Sequence, residues 1–345
     1  MSAPAVTVAI RSYLGASRLG RTLDSIAGTE VPGRFEVLVV DDGSNDGTAD
    51  VARRFSSRLP LRVVRHAENR GRAAAANTAF REAAGRVVLV LDDDMAAGPD
   101  LVAKHLSAHA SQSGIAALGR IIHDGLDPGR AFHAFLIRED EWRRRSLLAA
   151  GPIGFGQIWT GQLSVARADA LAAGLFDETM RGYGLEDIEF AYRLSGRGVR
   201  FIYLDDAVSR HAGFMDDLDR YCARHASVGE MAAHLLRRHN TPEMRRYLRL
   251  EAAPTEGERL SVFVRLMNLS AAVLRRPVAA QFLAAPLAHR VLRGGVSVLE
   301  AARLRRTLSF AYSLLRDIQY FNSMGRALAS DGEREASCGA AEGRR

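Results

Sequence analysis

Four short runs of β-branched and apolar residues open the chain, and a helical period fills each gap between them. Residues 6–10, 35–40, 61–65 and 87–91 read as strands, each short, rich in Val, Leu or Ile, and bounded by turn residues such as Gly85. Residues 19–27, 48–55 and 73–84 carry helical periods, with Leu19, Leu23 and Ile26 on one face of the first. Repeated strand–helix units of this length predict an α/β fold with a Rossmann-like, mainly parallel sheet flanked by helices. Its crossovers are right-handed, because a twisted strand feeds a helix back onto the sheet only that way.

Each strand exit then carries polar residues. The run Val87-Val88-Leu89-Val90-Leu91 stops abruptly in Asp92-Asp93-Asp94. Open α/β sheets bind ligands just outside the carboxyl ends of their strands, so these acids stand where a site is expected. Three adjacent carboxylates repel one another and are stable together mainly when exposed or bridged by a cation. Mg²⁺ and Mn²⁺ take oxygen ligands and often share them with substrate phosphates. The plainer alternative is a solvated acidic turn capping a helix that begins near Pro99.

After the second strand comes Asp41-Asp42-Gly43-Ser44-Asn45-Asp46-Gly47-Thr48. Gly43 and Gly47 permit a tight turn, and Asp46 or Thr48 can cap the next helix. Capping accounts for Ser44 to Thr48 and leaves Asp41 and Asp42 to accept hydrogen bonds from a base or a ribose. After the third strand comes Glu68-Asn69-Arg70-Gly71-Arg72-Ala73. Arg72 can meet a diphosphate together with the helix dipole, or it is a surface arginine. Neither G-x-G-x-x-G nor G-x-x-x-x-G-K-[ST] occurs, so nucleotide binding here calls for carboxylates and a metal instead of a glycine loop.

Further on, a helix to about His109, a strand over 115–122 and a helix over 131–145 are expected. In the last of these, Trp142 among Arg138, Arg143, Arg144 and Arg145 reads as an ordinary amphipathic face, with an acceptor-side surface as the alternative. Residues 154–165 form a glycine-punctuated loop leading into a strand, and a short helix covers 167–173. Glu186 and Asp187 then open a helix whose apolar face includes Ile188, Ala191, Tyr192 and Leu194. Acids in a first turn complement the helix dipole, so capping is one reading; a general base held beside a cleft is the other. A strand over 199–204 leads to His211, a structural histidine or a metal ligand.

Composition narrows the partners. The net charge of +7 and a pI near 9.9 come almost wholly from arginine, Lys104 being the single lysine. This balance suits phosphate ligands or an anionic membrane surface. With no binding motif or basic–aromatic platform, nucleic acid is not an expected partner. Cys222 and Cys338 offer neither a disulfide framework nor a metal pattern, which fits a reducing compartment. No charged-then-apolar leader precedes the first strand and no apolar run is long enough to span a bilayer. The expected location is cytoplasmic, at the inner face of the cell membrane if the chain binds lipid.

Residues 1–215 are expected to form the α/β domain and 216–330 an α-helical extension, with 331–345 as a disordered tail. Within the extension, 221–238 and 244–250 look amphipathic, 260–274 and 278–289 are more apolar and edged by arginine, and 299–318 is mixed. Such helices can lie in a membrane interface and attract anionic lipid; packing against the first domain or a second subunit is the alternative. The sequence leaves the oligomeric state open.

Taken together, Asp41-Asp42-Gly43-Ser44-x-Asp46-x-Thr48, Asn69-x-Gly71-x-x-x-Ala75-x-Asn77, Asp92-x-Asp94 and Glu186-Asp187 resemble, in order and approximate spacing, the family-two glycosyltransferases of the GT-A fold. The resemblance covers roughly residues 4–213. It implies that Asp41 and Asp42 contact the base and ribose of a nucleotide-sugar, with UDP favoured, and that Arg72 lies near the diphosphate. It implies that Asp92 and Asp94 are a D-x-D pair holding Mn²⁺ or Mg²⁺ on that diphosphate, with Asp93 beside them on the donor. Asp187 would be the catalytic base, Glu186 a supporting or acceptor-binding acid, and His211 the late histidine that completes the metal site. The acceptor would be a glycan, a lipid-linked molecule or a small molecule. The chain departs from the pattern at Thr160-Gly161-Gln162, where Gly-Gly-Asn is usual.

The implied reaction is direct displacement with inversion: a metal offsets charge on the departing diphosphate while one base deprotonates the attacking hydroxyl. A sugar-phosphate nucleotidyltransferase would instead show a Gly-rich, Arg- and Lys-containing loop where this chain has Arg11-Ser12-Tyr13-Leu14-Gly15-Ala16. A scaffold that kept the fold without activity would not need every one of these acids.

Overall fold

The computed structural model describes residues 3–31, 33–149, 151–213, 217–251, 293–296, 299 and 305–342. They fall into two compact units, Met1–Gly125 with Asp140–Arg181 and Glu186–Phe214, and Leu126–Glu139 with Gly182–Leu185 and Met215–Arg345. The short segments 126–139 and 182–185 thus group with the second unit, although the sequence reading assigns them to the first domain. Their few residues carry no compositional break that marks the change.

The first unit is built on an eight-stranded sheet of order β3-β2-β1-β4-β7-β6-β8-β5. Its strands are β1 (Val6–Ser12), β2 (Phe35–Asp41), β3 (Leu61–Arg65), β4 (Val87–Asp92), β5 (Met95–Ala97), β6 (Ile115–His123), β7 (Gln162–Ala166) and β8 (Arg200–His211). Helices α1 (Leu19–Ala27), α2 (Thr48–Arg53), α3 (Arg72–Glu82) and α4 (Leu101–Ser111) connect the first strands, and α6 (Arg167–Ala172) and α7 (Glu186–Gly196) the later ones. The 18-residue α5 (Ala131–Leu148) runs through both units, and Trp142 on it is 62% exposed.

β1, β2, β3 and β4 pair in parallel, as the alternation predicts. Both faces of β1, β2 and β4 are covered, which is why they read as nearly continuous apolar runs, whereas β3 at the sheet edge is half-buried. Val6, Val8, Ile10, Val37, Val39, Leu89 and Leu91 pack with Leu19, Leu23 and Ile26 of α1 and with Leu101 and Val102 of α4. The other faces, Ala9, Leu38, Val40, Val88 and Val90, are fully buried too, and the helix on that side is α3, where Ala73 to Ala76 and Phe80 are buried. Burying each such Leu, Ile, Val or Phe side chain contributes about 1.5–3 kcal/mol. Gly85 lets the turn before β4 press on β1: its N–H donates to Thr7 Oγ1 at 2.9 Å, and a Cβ there would strike the Val6–Thr7 backbone.

The far half of the sheet is mixed. β7 lies antiparallel between β4 and β6, while β8 runs parallel to β6 and antiparallel to β5. Partners such as Val87 and Ala166 are distant in sequence, so nothing local announces the direction of their pairing. β8 continues to His211, beyond the apolar run expected to end near 204, because Asp205 can sit in the strand. It accepts from Arg144 Nε and Nη2 at 2.7 and 2.6 Å, a charge-assisted bidentate pair.

The second unit contains α8 (Leu218–Arg238), α9 (Pro242–Tyr247) and α10 (Arg305–Glu342). Asp217 caps α8 by accepting from Arg220 N, and Thr241 caps α9 ahead of Pro242, which needs no N–H at that position. α8 crosses α10 closely at Gly229, where any Cβ would meet the Tyr320 carbonyl. Phe132, Phe135, Tyr221 and Tyr312 form an aromatic cluster, and the buried Arg316 pairs with Asp317 and Glu139 at 2.9 and 3.0 Å. The helical backbone of α10 covers 331–342, part of the stretch expected as a disordered tail; alanine and glutamate there favour helix. The apolar stretches 260–274 and 278–289 lie outside the described residues. Among the described residues no helix is long and apolar enough to cross a membrane.

Candidate active site at the strand exits

Asp92, Asp93 and Asp94 form the junction between β4 and β5, so the acidic turn does not cap a helix as the plainer alternative supposed. Each carboxylate has its own basic partner, drawn from a different part of the chain. Asp92 Oδ1 accepts from Arg11 Nη2 at 2.6 Å. Asp93 accepts from Arg18 Nε at 2.7 Å and from Ser12 Oγ at 2.5 Å. Asp94 Oδ2 lies 3.1 Å from His211 Nε2. Beyond exposure or a shared cation, the fold supplies a third way to keep three acids together, local pairing.

These partners give the acids different tasks. Asp93 is almost fully buried, and its main-chain carbonyl also accepts from Thr22 Oγ1 at 2.8 Å. Both its oxygens are held by β1 and the loop after it, so it braces that loop. Burial raises its pKa against the pull of Arg18 and Ser12. Asp94 is more open, and the bond and charge of His211 outweigh burial and lower its pKa. Its Oδ1 is buried without a partner. His211 reaches Asp94 because β8 ends beside β5 and β6, with His211 opposite both Met95 and His123. The His123 ring meets His211 edge-on, and burial followed by that neighbour lowers its pKa to about 4.

At the exit of β2, Asp42 is enclosed by the following loop. Its Oδ1 accepts from Arg70 N at 2.9 Å and contacts His66 Nδ1 at 2.6 Å, while Oδ2 accepts from Gly71 N at 2.8 Å. Gly43, at φ 77°, makes this approach possible, since a Cβ there would run into the Glu68–Asn69 backbone. Asp41 is fully buried, accepts from Ser44 N at 3.0 Å and faces Arg65 Nε at 3.3 Å. Both acids therefore shape the walls of the exit through protein contacts. Arg72 is exposed at the first position of α3.

Glu186 and Asp187 open α7 as expected. Asp187 Oδ1 accepts from Ile188 N at 2.9 Å. Burial and then the adjacent Glu186 charge push the Asp187 carboxyl up to about 7, opposed by the Ile188 N–H and the Arg11 charge. Glu186 is buried, and its Oε2 has no hydrogen-bond partner.

The residue that links these groups is Arg11, which sequence reasoning passed over. It sits at the end of β1 opposite Asp92 of β4, and its Nη2 also donates to Thr160 Oγ1 at 3.2 Å. Its only signal in the sequence was a charged residue immediately after a buried strand. Gly161 accepts from Asp92 N at 3.2 Å, and a Cβ on it would lie 3.2 Å from Asp92 Oδ2, so glycine keeps that oxygen accessible. Gln162, where the resemblance leads one to expect Asn, points into the core instead. It accepts from Ser209 Oγ at 2.5 Å and donates to the Ala207 carbonyl at 2.8 Å.

Among the described residues no three His, Cys, Asp or Glu side chains are gathered closely enough to hold a metal unaided. The structure brings Asp94 and His211 together and leaves Asp92 tied to Arg11. A divalent ion such as Mg²⁺ commonly takes one or two protein ligands and completes its shell with substrate phosphates. The unpartnered Asp94 Oδ1 beside His211 fits that arrangement.

Residues 7–161 match the family described as Glycosyl transferase family 2. The chain is 29% identical over 256 residues to the uncharacterized glycosyltransferase YfnE of Bacillus subtilis (strain 168), spanning 59% of this chain and 64% of that one. It is 32% identical over 221 residues to validoxylamine A glucosyltransferase of Streptomyces hygroscopicus subsp. limoneus, spanning 57% of this chain and 49% of that one. The chain thus covers roughly half to under two thirds of these relatives' lengths. Among solved structures, a mannosyltransferase from Pyrobaculum calidifontis, in complex with GDP-Man and Mn2+, shares the fold. Its TM-score is 0.60 at 22% identity, over 93% of this chain and 88% of that one.

Proposed function

We propose that this chain, whose residues 7–161 match glycosyl transferase family 2, moves a sugar from a nucleoside diphosphate donor to an acceptor hydroxyl. The observation that carries the reading is the meeting of groups at Arg11. It pairs with Asp92, donates to Thr160, and acts through its charge on Asp187. Such a cluster joins an acid of the β4–β5 turn, through one guanidinium, to a carboxyl with a pKa suited to proton transfer.

In this reading Asp187 accepts the proton of the acceptor hydroxyl as that oxygen attacks the anomeric carbon. Displacement from the face opposite the leaving group inverts that carbon. Asp94 and His211 would hold Mn²⁺ or Mg²⁺, which when bound offsets the charge of the leaving diphosphate. Asp92 keeps one oxygen beside Gly161 for the donor, and Arg72 with the start of α3 meets phosphate. Asp41, Asp42 and Asp93 set the shape of the nucleotide end from behind. A UDP-sugar is the favoured donor, and a glycan, a lipid-linked molecule or a small molecule is the acceptor. The arginine-rich composition supports a peripheral contact with anionic membrane at its cytoplasmic face.

The test is thermal-shift binding against UDP-, GDP-, dTDP- and CDP-sugars with and without Mn²⁺. A ligand that binds only the folded chain raises its melting temperature by mass action. A metal-dependent shift with one donor class is the expected result. Folded protein that responds to no nucleotide would remove the reading.

A further inference from the structure

We infer that Arg11 positions the sugar being transferred, its Nε and Nη1 donating hydrogen bonds to oxygens of that sugar. The inference rests on the glycosyl-transfer reading and names what grips the group in flight.

The Arg11 side chain is only 8% exposed. Its Nη2 has two hydrogens, and both are used, on Asp92 Oδ1 at 2.6 Å and on Thr160 Oγ1 at 3.2 Å. That anchors the planar head, which cannot swing out to solvent without giving up both bonds. Nε and Nη1 are buried with no acceptor. Guanidinium stays protonated in proteins, so the remaining N–H groups cannot be silenced by losing a proton. An arginine needed only to neutralise Asp92 would have no reason to leave these buried nitrogens without a protein acceptor.

The surroundings say which ligand they await. Glu186 Oε2 is a buried acceptor without a partner, and Trp159 Nε1, next to Thr160, is a buried donor without one. Unpaired donors on Arg11 and Trp159, and an unpaired acceptor on Glu186, the sequence neighbour of Asp187, suit hydroxyl groups, each of which accepts one hydrogen bond and donates another. Position selects the sugar from among the donor's parts. In a direct displacement the leaving diphosphate and the base stand on opposite sides of the anomeric carbon. Arg11 is bonded to Asp92 on the first side, and its charge acts on Asp187 on the second. The group between those two is the transferred ring.

The experiment measures dissociation constants for UDP, GDP, UDP-glucose, UDP-N-acetylglucosamine, UDP-galactose and GDP-mannose, with Mn²⁺, in wild type, Arg11→Lys and Arg11→Met. Melting curves accompany each protein. Arg11→Lys retains a charge beside Asp92 while losing the fork, so it keeps the test open should Arg11→Met fail to fold. For the nucleotide that wild type binds, both variants are expected to weaken the sugar conjugate by about 10- to 100-fold and the bare nucleotide by less than about threefold. A purely structural Arg11 moves both constants equally, and that result overturns the inference. So does wild type that binds a nucleotide but none of its sugar conjugates. Wild type that binds no nucleotide at all removes the glycosyl-transfer reading itself.

Discussion

Arg11 and Asp92 stand opposite each other at the carboxyl ends of two neighbouring parallel strands, their side chains joined at 2.6 Å. Strand register alone sets this pair, and it explains how a run of three aspartates survives at one strand exit. Asp92 is paired from β1, Asp93 from the loop after β1, and Asp94 lies against His211 at the end of β8. Losing any one partner leaves its acid facing two others.

Replacing Asp187 by Asn should lower turnover by about 10²- to 10⁴-fold, the usual contribution of a positioned general base. The melting temperature should hold or rise near pH 8, because the amide ends the repulsion with Glu186. Initial rates and melting curves on the same preparation check both halves, and a variant with full turnover would mean that the base lies elsewhere.

The pH dependence follows from the raised Asp187 carboxyl. If the ionised form is the base, activity should climb as pH rises through about 7 and level off above it. Stability should move the other way. In the unfolded chain this group titrates near about 3.9. Between that value and the folded one only the native state holds the proton, so the group's contribution to stability falls as pH rises. Denaturation of wild type and Asp187→Asn across pH 4 to 8 should show this slope as the difference between the two proteins, with rate profiles supplying the activity limb.

Asp94→Ala should abolish the Mn²⁺-dependent part of any nucleotide thermal shift while leaving the metal-free part within about 1 kcal/mol of wild type. His211→Ala should act in the same direction but less completely, since a carboxylate and the phosphates can still share the ion. Metal titration by calorimetry separates the two variants. Unchanged metal response in both would place the cation elsewhere.

Asp42→Ala is a stability prediction before it is an activity one. The change strands the Arg70 and Gly71 N–H groups and His66 Nδ1 around a buried carboxylate site. A loss of about 2–4 kcal/mol in chemical denaturation is expected. Asp42→Asn should recover part of this, because its amide oxygen can still accept from one main-chain N–H. If both variants keep wild-type stability, the carboxylate serves the ligand and not the loop.

Much of this architecture could be read along the chain because it rests on local signals. Alternating strands and helices, the apolar faces of α1 and α3, and Glu186-Asp187 at the head of α7 all follow from periodicity, propensity and capping within a few residues. The acids that mark the site were legible for the same reason, since each stands at a strand exit or a helix start. What escaped local reading was every relationship that closes across the sheet, and only the family resemblance set His211 beside the acidic turn. Neither the antiparallel entry of β7 between β4 and β6 nor the meeting of His211 with Asp94 leaves a local trace, because the partners lie far apart in sequence. The division of labour among Asp92, Asp93 and Asp94 was equally hidden, since three identical residues in a row differ only in what faces them. Sequence determined where the chain bends and where its charges fall; tertiary structure decided which charges are paired, which are walled in, and which are left with an empty hydrogen-bonding edge. Hydrogen bonds and desolvation act over a few ångströms in space, whatever the distance along the chain.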